Sequence, residues 1–242
     1  MSESDIYKVC KLERSIYGLK QASRSWNLKG YGYIKNEDES CVYKKTSGSK
    51  LSFLVLYVDD ILLIGNDVGM LTTPKKWLSS TFSMKDLGEA TYILGIRIYM
   101  DRTNRMIGLS QALYLEKVLK RFRMDNSKKG FLPMRHGVHL SKSMYPQSEE
   151  DRQEMSNVPY ASAVGSLMYA MLCTRPDIAY DVSVVSRFQA NPGKEHWIAM
   201  KNILKYLKRT KDMILIYGGG DLKMEGYSDS DFQSDVDDQK ST

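Results

Sequence analysis

Apolar residues alternate with period two over Cys41–Lys45 and again over Leu51–Tyr57, and the polar run Thr46–Lys50 between them predicts a β-hairpin. In the second stretch Leu51, Phe53, Val55 and Tyr57 share one face while Leu54, Leu56 and Val58 share the other. A strand apolar on both faces is expected to lie inside a sheet covered on both sides. Ile61–Ile64 predicts a third strand, which puts Val58-Asp59-Asp60 at a turn between two buried strands. Tyr7–Leu12 is a further short alternating run, Ser15–Trp26 reads as a loop entering a helix, and Asn27–Asn36, with Gly30 and Gly32, as a connector. Thr73-Pro74 is expected to open a helix running to Phe82, with Pro74 at the first helical position, where its missing N–H costs nothing. Glu89–Met100 and Met106–Ser110 predict a second hairpin around residues 101–105.

The period then changes. Gln111–Phe122 predicts an amphipathic helix with Leu115, Val118, Leu119 and Phe122 inward and Lys117, Lys120 and Arg121 outward. Arg123–Val158 has no clear periodicity and is punctuated by Pro133 and Pro146, which predicts a boundary or an extended surface strap. Ser162–Cys173 reads as helix, and Thr174-Arg-Pro-Asp177 as a capping box opening a helix to about Phe188. After the break at Asn191-Pro-Gly193, His196–Arg209 is helical, with Trp197, Met200, Leu204 and Leu207 inward and Lys201, Lys205 and Lys208 outward. Met213–Tyr217 and Lys223–Phe232 predict two strands of a new sheet with nothing to pack on, the expectation for a domain cut short.

Composition narrows the class. The 242 residues are 42% hydrophobic and 26% charged with a net charge of +6, the profile of a globular protein with room for a sizeable core. The charge is uneven. Ten basic residues against Glu116 and Asp125 lie between Arg102 and Lys142, whereas eight acids against Lys223 alone lie between Asp212 and Asp238. The start of the chain has no apolar stretch of signal-peptide type, and the longest apolar run, Leu51–Gly65, is interrupted by Asp59-Asp60 and too short to span a bilayer. No membrane partner is expected, and an intracellular setting, cytoplasmic or nuclear, is. Cys10, Cys41 and Cys173 are widely spaced and make no disulfide framework or zinc site with the three histidines.

Tyr57-Val-Asp-Asp60 carries the sharpest chemistry. Two adjacent carboxylates between apolar strands are costly unless a positive charge sits beside them. Mg²⁺, which takes one or two carboxylates together with substrate phosphates, answers that need, and two such ions clamp an in-line phosphoryl displacement. A solvated Asp-Asp hairpin turn is the competing reading of the same four residues.

Beyond the tetrapeptide, the chain resembles the reverse transcriptase of copia-type retrotransposon Pol polyproteins. The resemblance runs through Leu12–Trp26, the Phe53–Asp67 hairpin, Phe82–Gly88 with Tyr92–Ile96, Gly108–Gln111 with Tyr114–Lys117, Tyr160–Pro192 and Gly226–Asp231, in family order. It implies an α+β fold: a partial palm of antiparallel sheet and helices over residues 1–110, without fingers, then a thumb helix and strap over 111–158. A helical connection over 159–211 and the truncated start of a ribonuclease H-like domain over 212–242 complete it. It further implies that Asp59 and Asp60 are palm carboxylates and metal ligands, that Asp229 is the first metal ligand of ribonuclease H, and that Gly18, Lys20, Gln21 and Lys85 line the nucleotide and template side. Leu94, Gly95 and Ile96 would form the primer grip, and Lys117, Lys120 and Arg121 would follow a nucleic-acid backbone. The implied cofactor is a two-metal Mg²⁺ site. The implied partners are an RNA template, a DNA primer, RNA–DNA hybrid and deoxynucleoside triphosphates.

The chain also departs from the family pattern. It begins after the segment carrying a third palm carboxylate, Trp26–Asn36 is shorter than the family's helix, and Pro74 replaces a helix former. The expectation is therefore an RNA-directed DNA polymerase region that is inactive as these isolated residues. The alternatives are a non-catalytic remnant that binds nucleic acid through its basic thumb, and an interaction module built from Ser162–Arg209.

Overall fold

A computed structural model describes residues 28–57, 60–82 and 84–220, together with Gly226 and Asp237. The strand expected at Tyr7–Leu12, the loop and helix at Ser15–Trp26 and the strand at Lys223–Phe232 lie outside the described residues. The chain divides into two compact units, residues 1–90 and 91–242.

In the first unit the alternating pattern becomes a four-stranded antiparallel meander of β1 (Ile34–Lys35), β2 (Val42–Ser47), β3 (Lys50–Tyr57) and β4 (Asp60–Gly65). Gly48-Ser49 alone join β2 to β3, closed by the Ser47–Lys50 pair. Gly48 has φ +59°, and glycine at the first central position is what a tight hairpin turn with the sheet's own twist requires. Tyr43 lies opposite Leu54, while Leu54 and Leu56 lie opposite Leu63 and Ile61. These side chains pack with Leu28 and Tyr33 as the core of this unit. Ser52 is on the same buried face, and its hydroxyl is hydrogen-bonded to that of Tyr33 at 2.9 Å, which removes the penalty of burying either group alone. Leu51, Phe53 and Val55 on the opposite face are half-buried. Of the two covered faces that the pattern predicts, one is fully covered among the described residues.

Helix α1 (Val68–Thr81) begins earlier than the Thr73-Pro74 signal predicts. Asp67 is its N-cap and accepts a hydrogen bond from the Met70 N–H at 2.9 Å, a stronger start signal than proline. Pro74 therefore sits inside the helix, buried, where it removes one backbone hydrogen bond. Trp77 joins the core of this unit and meets Tyr31 and Phe82, ring centroids 4.5 and 5.7 Å away.

The second unit has its own antiparallel sheet, β5 (Tyr92–Ile93), β6 (Ile96–Asp101), β7 (Met106–Ser110) and β8 (Leu215–Gly218). The segment predicted to open a new sheet thus does something else: β8 lies against β7, with Leu215 opposite Leu109 and Gly218 opposite Met106. Alternation identifies an extended segment but not its neighbour. Gly108 helps the approach, since a Cβ there would lie 2.9 Å from the Ile214 side chain.

Between β7 and β8 come α2 (Ala112–Arg121), α3 (Glu149–Ser156), α4 (Tyr160–Cys173), α5 (Ala179–Ser186) and α6 (Lys194–Thr210). Leu115, Val118, Leu119 and Phe122 of the α2 stripe are buried, as the 3.6-residue period predicts. They pack with Val164, Leu167, Val185, Met200, Leu204 and Leu207 in one helical core. Helix α3 has no apolar stripe to betray it. Its start is fixed by a reciprocal cap, Ser148 Oγ accepting from the Asp151 N–H at 3.1 Å and the Asp151 carboxylate from the Ser148 N–H at 3.1 Å.

The capping box predicted at Thr174–Asp177 does not form. Instead Arg175, 3% exposed, turns back into the unit. Its Nε and Nη2 donate to the Asp177 carboxylate at 3.0 and 2.7 Å, and Nη1 and Nη2 to the Thr210 carbonyl and hydroxyl at 3.1 and 2.6 Å. Tyr206 also donates to Asp177, at 2.7 Å. A buried guanidinium is tolerable because nearly every N–H is used.

The aperiodic stretch after α2 is a strap. Met124 and Leu140 are anchored in the helical core, the Gly130 N–H donates to the Lys205 carbonyl at 2.9 Å, and Lys208 Nζ donates to the carbonyls of Asp125 and Ser127. Lys201, Lys205 and Lys208, predicted to face water, are half-buried, the last two beside the strap. At the other end of α6 the Gly193 N–H donates to His196 Nδ1 at 2.8 Å, so Nε2 carries the ring proton and donates to the Ser141 carbonyl at 3.2 Å. The His196 ring is fully buried and stacked on Phe188, centroids 4.1 Å apart.

Candidate functional site

The acidic turn sits where β3 hands over to β4. Asp60 opens β4 opposite Tyr57 and is exposed. The pleat puts it on the same face as Leu62 and Ile64, whose partners across the ladder are Val55 and Phe53. Asp60 therefore belongs to the half-buried face rather than to the one against which Trp77 of α1 packs. An exposed carboxylate at the end of two apolar strands is an oxygen donor of the kind Mg²⁺ takes. Among the described residues no three His, Cys, Asp or Glu side chains converge into a metal-holding group. Asp59 and Asp229 lie outside the described residues, as do Gly18, Lys20 and Gln21.

Lys85 is exposed in the irregular segment after α1. Its neighbour Asp86 accepts from the Gly88 N–H at 2.9 Å and pairs with Lys75 at 3.1 Å. These contacts, the Gly88 N–H first, hold the Asp86 carboxyl below its usual range.

Leu94 and Gly95 are the two central residues of the turn between β5 and β6, closed by the Ile93–Ile96 pair. Their φ values are +52° and +77°, the left-handed pair that a type I′ hairpin turn requires. Glycine takes this conformation freely, whereas a leucine there costs about 1–3 kcal/mol and persists only where its surroundings hold it. The Leu94 carbonyl accepts a hydrogen bond from the Tyr169 hydroxyl of α4. The Tyr169 ring packs edge-on against Tyr114, centroids 5.0 Å apart, and the Tyr114 hydroxyl donates to the Ser166 carbonyl at 3.0 Å. The turn is thereby fastened to the helical body. The sequence singles out Leu94, Gly95 and Ile96, but nothing in it marks Tyr169 as their support.

Lys117, Lys120 and Arg121 are exposed on the polar side of α2. Lys120 and Arg121 occupy its last turn, where positive charge suits the helix dipole. Just past the helix, beyond its C-cap Phe122, Arg123 takes φ +56° and the Met124 N–H reaches back to the Leu119 carbonyl at 2.8 Å, the geometry of a left-handed C-terminal cap. Asp60 and Lys85 belong to the first compact unit. Leu94–Ile96 and the three cations of α2 belong to the second.

Comparison with known proteins identifies the family. Residues 1–136 match the family model described as reverse transcriptase (RNA-dependent DNA polymerase). The chain is 49% identical over 98% of its length to the retrovirus-related Pol polyprotein from transposon TNT 1-94 of Nicotiana tabacum, and 37% identical over 97% to that from transposon RE1 of Arabidopsis thaliana. It is also 31% identical to a putative transposon Ty5-1 protein of Saccharomyces cerevisiae, covering 72% of that protein. The chain belongs to the reverse transcriptase family found in copia-type retrotransposon Pol polyproteins. It spans 18% and 16% of the length of the two plant polyproteins. No solved structure matches it. Among the described residues no helix is long and apolar enough to cross a membrane.

Proposed function

We propose that these residues form part of an RNA-directed DNA polymerase that adds deoxynucleotides to a primer 3′-end on an RNA template, acting inside the cell. The observation that carries the reading is the position of Asp60, an exposed carboxylate at the tight handover between two apolar strands. Asp59 and Asp60 would hold Mg²⁺, which when bound supplies charge neutralisation for the attacking oxygen and the departing pyrophosphate. Gly18, Lys20, Gln21 and Lys85 would line the nucleotide and template side, where lysine and glutamine reach phosphates or base edges. Leu94-Gly95-Ile96 would seat the primer end. Residues 1–110 are read as palm, 111–158 as thumb helix and strap, 159–211 as connection, and 212–242, with Asp229, as the start of a ribonuclease H-like domain whose first strand is laid against β7.

These 242 residues contribute two palm carboxylates, and the two-metal scheme calls for a third. The isolated chain is therefore expected not to extend a primer. Primer extension with Mg²⁺ on the isolated chain, beside Asp59→Asn, tests this: robust extension abolished by the substitution establishes the polymerase and refutes the inactivity. A second reading, a chain that only binds nucleic acid, is favoured by the outward cations of α2. Salt-dependent binding of an RNA–DNA hybrid that Asp59→Asn leaves unchanged supports it.

A further inference from the structure

The strap displays a surface that the polymerase reading does not use. Phe131 is 74% exposed, an unusual place for a phenyl ring, and the Arg209 guanidinium lies over it, 4.0 Å from the ring centroid. Beside it Gly130 is pressed onto α6. Its N–H donates to the Lys205 carbonyl at 2.9 Å, and a Cβ at this position would lie 3.1 Å from the Lys205 side chain and from the Tyr206 nitrogen. A side chain at this position would crowd the α6 backbone, so glycine favours the close run of the strap along α6. Lys128 and Lys129 are exposed just before it and Leu132 just after. Among the described residues no carboxylate pairs with Lys128, Lys129 or Arg209. The acid in the same stretch, Asp125, is exposed. The Lys208 ammonium is committed to strap carbonyls and holds the strap in place.

We infer that this platform of Lys128, Lys129, Phe131 and Arg209 binds single-stranded nucleic acid. Cations alone would suit any polyanion. An exposed ring backed by a guanidinium adds a face on which a base can stack, and stacking of bases on aromatic and arginine planes is the mark of single-strand binding. A duplex keeps its base faces inside its own stack, so the ring discriminates for unpaired strands. The lysines supply the backbone contacts, sequence-independent and salt-sensitive. The competing explanation is that the Arg209–Phe131 contact serves only to pin the strap to α6.

The test uses the 242-residue chain and a single-stranded 20-mer oligonucleotide beside a blunt duplex of the same length. Phe131→Leu keeps an apolar side chain but no ring. It is expected to weaken single-strand binding roughly 5- to 100-fold while leaving duplex binding unchanged. Phe131→Trp is expected to restore the affinity and to show quenching of the new emission by the single strand but not by inorganic polyphosphate. Unchanged single-strand affinity in Phe131→Leu overturns the proposal. So does an equal loss for single strand and duplex, or equal quenching by polyphosphate. The tryptophan reading does not depend on how Phe131→Leu affects the strap. Both readouts measure binding alone, so their failure is separable from that of the primer-extension assay.

Discussion

Tyr169 donates its hydroxyl to the carbonyl of Leu94, tying a residue of α4 to the tip of the β5–β6 turn. Leu94 holds φ +52° without the freedom of glycine, so the hydrogen bond stabilises a conformation that the residue resists. Tyr169→Phe is expected to lose about 1 kcal/mol and to speed amide exchange at Ile93 and Ile96 while the helical core stays protected. Adding Leu94→Gly is expected to recover a similar amount by removing the left-handed penalty. Thermal melts and hydrogen exchange on the two variants decide it.

Gly193 is hemmed in by the strap. A Cβ at this position would lie 1.9 Å from the Met144 carbonyl oxygen, and that oxygen belongs to backbone that cannot swing away as a side-chain tip does. Gly193→Ala is expected to destabilise by about 2–3 kcal/mol and to expose the strap near Tyr145 to limited proteolysis. Unchanged stability and cleavage would refute the close approach.

His196 makes folding stability depend on pH. Burial pushes its imidazole below the usual value of 6.5, against smaller opposing contributions from the Ser141 carbonyl, Asp237 and Glu195. The unfolded chain therefore takes up the proton first as pH falls. The stability of the neutral ring is fully present above about pH 6.5 and is lost as pH drops toward the lowered folded value. His196→Gln retains an acceptor for the Gly193 N–H without a titrating ring. It is expected to flatten the stability profile between pH 7 and pH 5, measured by denaturant unfolding.

Asp181 acts with the opposite sign. It is 7% exposed, and burial, with the nearby Asp177 charge adding, raises its carboxyl above the ordinary value. Folding then favours the protonated form, and stability falls as pH rises through the unfolded value of about 3.9 toward the folded one. Asp181→Asn should stabilise the chain at pH 7 and lose that advantage near pH 3. Equal midpoints at pH 7 would count against the buried charge.

The cations of α2 invite a measurement of slope. If Lys117, Lys120 and Arg121 each meet a backbone phosphate, alanine at any one should lower the slope of log affinity against log salt by about one on an RNA–DNA hybrid. A side chain that is merely solvated leaves the slope unchanged.

The parts of this fold legible in the sequence are those where one local rule decides. The α2 stripe and the β2–β3 hairpin follow from period and turn residues, and both form. Pro74 misleads because Asp67 caps α1 earlier. The predicted solvated face of α6 is partly covered because a strap with no periodicity of its own bonds to it, through the Gly130 N–H on the Lys205 carbonyl and Lys208 on the strap carbonyls. Asp177 leaves its expected capping role because Arg175 is buried beside it. Of the candidate site, the residue pattern picks out the Asp60 turn, whereas the Leu94-Gly95 turn is singled out by the family resemblance and interrupts a stretch, Glu89–Met100, that the pattern reads as one strand. The sequence is silent on Tyr169, whose role depends on a contact between residues far apart along the chain.

The pairing of β8 with β7 makes the whole helical body an excursion between two neighbouring strands, leaving from Ser110 and returning at Leu215. The entropy of closing so long a loop must be met before that strand pair contributes anything. A chain emerging from the ribosome therefore carries a three-stranded sheet with an open edge along β7 until α6 has been made and packed. Such an edge is a template for another copy of the same strand, so the order of synthesis, rather than the finished fold, sets when this region is most prone to self-association.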